Sequence, residues 1–449
     1  MKQPAMTPWQ WLVGLVRLEK RAVLQVFYYA IFSGLVGLTL PLGIQTIINL
    51  IQSAQITTSW ILLVVLVTAG VGFVGVLQLM QMRIVETIQQ RIFTRSSFEF
   101  AYRFPKIKME QLRLYYPPEL ANRFFDTLTV QKGLAKVLVD VPASILQIIF
   151  ALILLSFYHP FFIVFGMLLL LLIYVVFKFT AKRGMTTSIY ESKNKYKVAF
   201  WIQEIARSVI SFKVSGKSDL ALKKNDELVS GYLDARESHF RILIIQFIQM
   251  IGFKVIVTAG LLTIGGALVL NQEMNIGQFV AAEIIILLVI NSVEKLITGL
   301  ESFYDVLTSL DKLGEVVDKE LETQLGEKPL FDSDFIIELK DIGYKVSNKE
   351  QPILSNINFE IRSNSSLLIK GDNGSGKSTL LKLIAGVIQP TVGHLYLGMF
   401  SLENIHINHY RSHIGLSLSE ETPFEGTIRE NITFGDPEIL DSDIFWAIE

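Results

Sequence analysis

Residues Leu152 to Phe179 read LILLSFYHPFFIVFGMLLLLLIYVVFKF, apolar around the whole helix circumference except at a turn on His159 and Pro160. Soluble helices keep a polar side, so this run predicts two membrane-crossing helices joined by a tight bend. A hydrocarbon core about 30 Å thick takes roughly 20 apolar residues as helix, because every backbone N–H and C=O must be satisfied within the segment. Working outward, six stretches qualify: Ala22 to Leu50, Trp60 to Met82, Leu134 to Tyr158, Pro160 to Thr180, Ile242 to Leu270 and Ile276 to Leu300. The whole chain agrees, with 51% apolar and only 18% charged residues, a balance that favours membrane insertion.

Lys and Arg set the orientation. The connections at Gln52 to Ser59, at His159 and at Asn271 to Asn275 carry neither, whereas the N-terminal segment and the connections Arg83 to Gly133 and Ala181 to Arg241 are rich in both. The positive-inside rule therefore puts the N-terminus, both long connections and the C-terminal region in the cytoplasm. Trp9 and Trp11, with neighbouring Leu and Val, predict an interfacial segment over residues 1–21. The long connections stay helix-like, as in SIYESKNKYKVAFWIQEIARSVISFK (188–213), so helices are expected to continue below the membrane. A formal net charge of −1 argues against a nucleic-acid partner. The absence of cysteine excludes disulfides, cysteine-ligated metals and a thiol nucleophile. The N-terminus has no cleavable signal pattern and reads as mature.

After an acidic linker over 315–334, the composition shifts to strand and turn. IIELKDIGYKV (336–346) and INFEI (357–361) alternate as half-buried strands do. SLLIKGDNGSGKSTLLKLIAGV (366–387) then reads as a buried strand on Leu367, Leu368 and Ile369, a glycine-rich loop and a helix, and it fits the phosphate-loop pattern G-x-x-x-x-G-K-[ST]. Gly371, Gly374 and Gly376 let the backbone approach an anion, with Asp372, Asn373 and Ser375 presenting N–H groups between them. Lys377 is expected to reach the outer phosphates and Ser378 to hold magnesium, while Thr379 opens a helix whose N-terminus favours negative charge. The expected ligands are ATP and Mg2+.

Six spans, two long helical connections and a phosphate loop after the last span resemble the exporter class of ATP-binding-cassette transporters over the whole chain. RSHIGLSLSEETPFEGTIRENITFGD (411–436) is similar to that family's segment after the phosphate loop. PLGIQTIINLI (41–51) and NIGQFVAAEIIILL (275–288) look most like the type 1 secretion branch. The resemblance implies an all-α six-helix transmembrane domain (22–314) followed by a partial α/β phosphate-loop NTPase domain (335–449). It implies ATP-driven export across a bacterial inner membrane by a dimer, a homodimer by preference, contacting membrane lipid and, for a secretion exporter, a periplasmic adaptor. It also implies coupling segments near Leu114 to Phe124 and near Glu204 to Phe212.

Departures accompany the matches. Val346 stands where the family has an adenine-stacking aromatic, with Tyr344 two residues earlier as a substitute or as a buried strand tyrosine. Ser419 stands at the position of the family glutamine that senses magnesium, and it is too short to reach in the same way. The family's signature serine-glycine run, carboxylate-ending strand and switch histidine are not found before IFWAIE at the C-terminus, so no catalytic residue is assigned. The ending reads as a cut, in which Asp441 and Ser442 cap a helix whose first buried turn is Ile444, Phe445 and Trp446; the region after Asp334 is expected to be poorly stable alone. Two other readings stay open: a non-hydrolysing membrane subunit that supports a complete partner, and a nucleotide-regulated channel. No attached leader peptidase is expected, and protein, peptide, lipid and drug-like substrates all remain candidates.

Ionisable residues within the spans are functional candidates. At about 1.5 Å per residue, Asp140 and Lys254 fall roughly 25 to 27 Å from the outer surface, and Glu294 and Lys295 at a similar depth. They are expected to form a charged ring or to snorkel to the inner interface. Glu283, about 12 Å down, is expected to face a translocation cavity.

Overall fold

The computed structural model describes residues 6–52, 58–113, 115–216, 219–331, 336–346, 350–419 and 422–449, with backbone only at 175–177 and 179–181. The chain divides into two compact units, one formed by Met1–Lys106 and Leu114–Lys319, the other by Ile107–Arg113 and Glu320–Glu449.

The first unit is helical. α1 (Pro8–Leu18) starts on a reciprocal cap, Thr7 accepting from the Gln10 N–H and Gln10 from the Thr7 N–H, with Pro8 at the position where a missing N–H costs nothing. α2 (Lys20–Gly37) and α3 (Thr39–Gln52) make one apolar passage broken at Leu38. There the Thr39 hydroxyl turns back to the Val36 carbonyl at 2.7 Å. α4 (Thr58–Arg103) runs 46 residues, more than twice a bilayer span, and ends before Pro105. In the second unit, α5 (Met109–Leu112) follows. Back in the helical unit come α6 (Pro117–Ala121), α7 (Asp126–Ser156) and α8 (Phe161–Arg207), then α9 (Val209–Ser215) and α10 (Asp219–Gly260). A π turn at Leu261–Gly265 leads into α11 (Gly266–Leu270), and α12 (Ile276–Val317) opens on a second reciprocal cap between Asn275 and Gln278.

Among the described residues, five helical segments are long and apolar enough to cross a membrane: Lys20–Gln52, Thr58–Lys106, Pro117–Ser156, Asp219–Leu270 and Ile276–Val317. The remaining expected span falls in α8, whose shorter apolar part is Phe161–Tyr174. α12 is the spine. Ala281, Ala282, Ile285, Ile286, Val289 and Val293 are buried on it, in one core with Leu155 of α7, Phe162 and Leu169 of α8, and Met250 and Val257 of α10. Farther along, α7 and α12 approach so closely that a β-carbon at Gly133 would lie 2.5 Å from Val306 Cγ2 and 3.1 Å from the Ser302 carbonyl oxygen. Only glycine fits there without a shift.

The charged ring takes a different form. Lys254 pairs with Glu294 at 2.6 Å, so its partner lies on α12 and is not Asp140. Asp140 and Lys295 instead line a cavity among α2, α4, α7 and α12, and Glu283 is exposed on α12 outside its lining. The polar face of the unit is pinned by the buried Glu19, which accepts from Arg91 at 3.0 Å and Arg95 at 3.3 Å.

The second unit holds a four-stranded antiparallel sheet in the order β2-β1-β3-β4, with β1 Ile337–Tyr344, β2 Leu354–Ile361, β3 Val392–Leu397 and β4 Phe400–Ser401. α13 (Lys377–Ile384) and α14 (Ile407–Arg411) pack on it. The shared core contains Leu339, Ile342, Leu380, Leu383, Leu395 and Tyr410. Burial raises the pKa of the Tyr410 hydroxyl, which donates to the Ile384 carbonyl at 2.5 Å. α15 (Ile428–Thr433) and α16 (Asp441–Ile448) complete the chain.

Two expectations fail in this unit. Residues 366–370 form no strand, and Leu367 and Leu368 are 51% and 75% exposed. A strand buried on both faces needs a neighbour on each side. Among the described residues no parallel strand pair exists, only an isolated parallel bridge between Glu327 and Ile405, so the α/β character expected from the sequence is replaced by an antiparallel sheet with helices. In α16 only Ile444 is buried; Phe445 and Trp446 are exposed, and Asp443, rather than Asp441 or Ser442, accepts from the first free N–H, that of Leu440, at 3.0 Å. The stretch that groups with the sheet is Ile107–Arg113, which immediately precedes 114–124.

Candidate functional site

The glycine loop runs from Gly371 to Gly376 and hands the chain to α13 at Lys377. Gly374 and Gly376 have φ of +85° and +94°, a left-handed region that side chains avoid. At 376 space adds to the constraint: a β-carbon would come within 2.9 Å of Leu354 Cδ2 and 3.2 Å of the Ile353 carbonyl oxygen. The loop is therefore tucked against the start of β2. A hydrogen bond from the Ser375 N–H to the Asp372 carbonyl, 3.2 Å, closes its turn.

The Lys377 ammonium folds back over this loop, donating to the carbonyls of Gly371 at 2.7 Å and Asp372 at 2.8 Å. Gly376 supplies no side-chain cap, so the first-turn N–H groups of α13 are left for an external acceptor. Asp372, Asn373, Gly374, Ser375 and Ser378 are exposed and Thr379 is half-buried. A lysine, an uncapped helix start and glycine backbone on one exposed turn can hold an anion with several oxygens.

Of the two readings of Tyr344, the structure has the buried strand tyrosine. Tyr344 is 4% exposed in the sheet core, and Arg113 donates to its hydroxyl at 3.2 Å. No face of that ring is free to stack on a base, so its role is packing. Val346 packs partly buried against the same core, and Ser419 is exposed.

Sequence reading missed the residues that tie Ile107–Arg113 into this unit. Ile107 bridges to Leu321, the Lys108 N–H donates to the Glu320 carbonyl at 3.1 Å, and the Glu110 carboxylate accepts from the Gln389 N–H at 3.1 Å. Beside them Arg411 makes a two-pronged pair with Glu322, 2.6 and 2.8 Å, and donates to the Gly386 carbonyl. Pro105 was the available signal, since it ends α4 and frees the charged run KMEQLR to fold separately.

Bilayer-length helices in one unit and a sheet with a glycine-lysine-serine turn in another define a multi-pass membrane protein with a second, sheet-bearing domain. Residues 23–293 match the ABC transporter transmembrane region, and residues 354–447 match the ABC transporter domain. The chain belongs to the ATP-binding-cassette transporter family. It is similar to the alpha-hemolysin translocation ATP-binding protein HlyB of Escherichia coli O157:H7, 29% identical over 55% of this chain and 35% of that relative. It is likewise similar to the leukotoxin translocation ATP-binding protein LktB of Mannheimia haemolytica, 29% identical over 49% of this chain and 31% of that relative. These relatives agree with the type 1 secretion branch of exporters, and the match spans about a third of their length.

Proposed function

We propose that this chain is one subunit of an ATP-driven exporter of the bacterial inner membrane, with six spans, the fourth being the apolar start of α8. Its sheet unit is the nucleotide-binding domain, built on residues 335–449 with Ile107–Arg113 docked to it. Residues 22–314 form the membrane domain, 1–21 an interfacial segment, and 315–334 the linker. Lysine and arginine in the long connections favour a cytoplasmic N-terminus and nucleotide domain.

The single observation that carries this reading is the turn at Gly374 to Lys377, where left-handed glycines and an uncapped helix start meet one lysine. When bound, ATP with Mg2+ supplies the phosphoryl group whose hydrolysis drives transport in this family. The N–H groups from Gly374 to Thr379 orient the phosphates, Lys377 leaves its two carbonyl partners for the outer ones, and the Ser378 hydroxyl holds magnesium. Asp372 and Asn373 form the exposed rim of the turn, and Ser419 is too short for the magnesium-sensing role of the family glutamine. A second subunit completes the site, and the exposed Val209 and Ile210 at the start of α9 suit a docking contact with it. The likeness to an alpha-hemolysin and a leukotoxin translocation protein favours a protein substrate, and we assign a periplasmic adaptor as the partner that such a secretion exporter would take.

Magnesium-nucleotide affinity of the purified full chain, in wild type and Lys377→Ala, tests this. Loss of one charge-assisted contact predicts at least about tenfold weaker binding in the variant. Equal affinity, or no wild-type binding, overturns the reading.

A further inference from the structure

Where α6 and the turn Asn122–Phe125 meet α8 and α12, the helical unit holds an open cavity of about 440 Å³. It stands clear of the bilayer. At roughly 1.5 Å per residue, Tyr196 lies about 52 Å along α8 from Phe161, and Lys312 about 54 Å along α12 from Ile276. Against a hydrocarbon core about 30 Å thick, that sets the cavity in the helical extensions, roughly 20 Å beyond the spans.

Two of its cations are buried. Arg123 lies between carboxylates, donating from Nη2 to Glu119 at 2.8 Å and from Nε to Glu315 at 3.1 Å, and Glu315 also takes the Lys312 ammonium. The remaining nitrogen of Arg123, Nη1, is shielded from water and has no acceptor among the described residues. A donor left so is costly, and an anionic oxygen is the acceptor that suits a guanidinium best. On the α8 side, Lys193 and Lys197 are exposed and pair with no carboxylate among the described residues; Lys197 donates to the neutral Asn194 amide oxygen at 3.2 Å. The buried Asp126 accepts from the Tyr196 hydroxyl and faces Lys195, so it leaves Lys193 and Lys197 unmatched.

Tyr115, Tyr116, Tyr196 and Phe200 share the lining with these cations. Cations already sit on three of the rings: Lys319 is 3.7 Å from the centre of Tyr115, Arg123 3.8 Å from Tyr196 and Arg207 5.8 Å from Tyr116. A cation covers one face of a ring and leaves the other for stacking, and Tyr115 and Phe200 are 42% and 41% exposed. Exposed rings interleaved with lysines suit a ligand that carries a flat heterocycle and a phosphate together. A bare inorganic anion would leave the rings unused, and an apolar ligand the lysines.

We propose that this cavity binds a nucleoside monophosphate, its phosphate among Lys193, Lys197 and Arg123 and its base against Tyr115 and Phe200. The volume falls within the roughly 300–1,000 Å³ typical of sites for one small molecule. Such a ligand ties α8 to the turn after α6, and so acts on the helical extensions away from the membrane. The proposal rests on these residues alone and not on nucleotide binding at the glycine turn.

The test is photolabelling of the purified full chain in nanodiscs with 8-azidoadenosine 5′-monophosphate in EDTA, followed by peptide mapping, with 8-azidoadenosine as the uncharged control. The expected result is label in peptides spanning Tyr115 to Arg123 or Lys193 to Arg207, equally in wild type and in Lys377→Ala. The nucleoside should label about tenfold less, and the Lys193→Gln/Lys197→Gln double variant should lower nucleotide labelling by about tenfold. Phe200→Ala should lower it by about fivefold. These three side chains are exposed, so helix content by circular dichroism should stay at the wild-type value in both variants. Equal labelling by nucleotide and nucleoside, unchanged labelling in the double variant, or no label in either peptide would each overturn the proposal. Full labelling in Phe200→Ala together with displacement by inorganic phosphate as effective as by adenosine monophosphate would reduce the site to a plain anion site and overturn it equally. A wild type labelled here that binds no magnesium nucleotide sinks the exporter reading and leaves this one standing, and the converse result sinks this one alone.

Discussion

α12 and the run from Ser366 to Lys370 are both apolar segments that the sequence marks as buried, yet only α12 is buried. The difference lies in where each finds its hydrogen bonds. A helix satisfies its own backbone, so α12 needs only apolar neighbours, which α7, α8 and α10 supply. A strand must borrow its partners from remote chain. The sheet's ladders join β2, β1, β3 and β4 without reaching 366–370, and Leu368 is left 75% exposed. Burial in a strand is therefore a property of the neighbours as much as of the residues.

The sharpest way to break that comparison sets Leu339 against Leu368. Leu339 on β1 is 1% exposed in the sheet core, so Leu339→Ala should cost about 3 kcal/mol, by lost transfer energy and a cavity. Leu368→Ser should change stability by less than about 0.5 kcal/mol. Denaturant unfolding of the full chain, followed by a probe in the sheet unit, measures both. A cost at Leu368 approaching that at Leu339 would mean that 366–370 is a buried strand in solution after all.

Gly376 is next in size. Gly376→Ala combines a left-handed φ with contact to Leu354 and the Ile353 carbonyl, two independent sources of strain that together should cost about 2–3 kcal/mol. Nucleotide affinity should fall with it, because the loop cannot keep its turn. Full stability with normal nucleotide affinity in this variant would show that the loop conformation is not required.

On the helical side the parallel position is Gly133, where conformation is ordinary and space alone decides. Gly133→Ala should destabilise the helical unit by about 1–2 kcal/mol through Val306, and Val306→Ala in the same chain should recover part of that loss. The Ser302 carbonyl, being backbone, keeps the recovery incomplete. Additive costs in the double variant would separate the two residues and remove the close approach of α7 to α12.

These cases also explain which parts of the molecule could be read in advance. The apolar helices and the glycine turn rest on local chemistry: twenty apolar residues, or glycine at fixed offsets from lysine and serine, carry their own instruction. β1 and β2 were legible for the same reason, through their alternation. What escaped was pairing over distance. Nothing in the sequence tells Lys254 to choose Glu294 over Asp140, since which helix packs beside α10 at that level decides it. The burial of Tyr344 depends on Arg113, 231 residues away, and the docking of Ile107–Arg113 depends on Glu110 meeting a backbone N–H at Gln389. The exposed faces of Phe445 and Trp446 belong to the same class, because amphipathic spacing marks an apolar face without naming what covers it.

The smallest expected effect concerns a site where everything is local, and it should therefore behave as the sequence says. Glu430, three residues after Thr427 in the run GTIRENI, accepts from the Thr427 N–H at 2.7 Å and the Thr427 hydroxyl at 2.9 Å, and Thr427 in turn caps the Glu430 N–H. These bonds favour the ionised carboxylate, the Thr427 N–H most, and hold its pKa below the ordinary value. A carboxylate depressed in the folded state stabilises the start of α15 above its unfolded pKa, and that contribution disappears as pH falls through the lowered value. Amide exchange at Thr427 and Glu430 should accordingly slow relative to Glu430→Gln at neutral pH, and the difference should close in acid. A carboxyl titration of Glu430 at or above its ordinary value would show instead that the cap is not formed, and with it that even local patterning in this unit waits on distant neighbours.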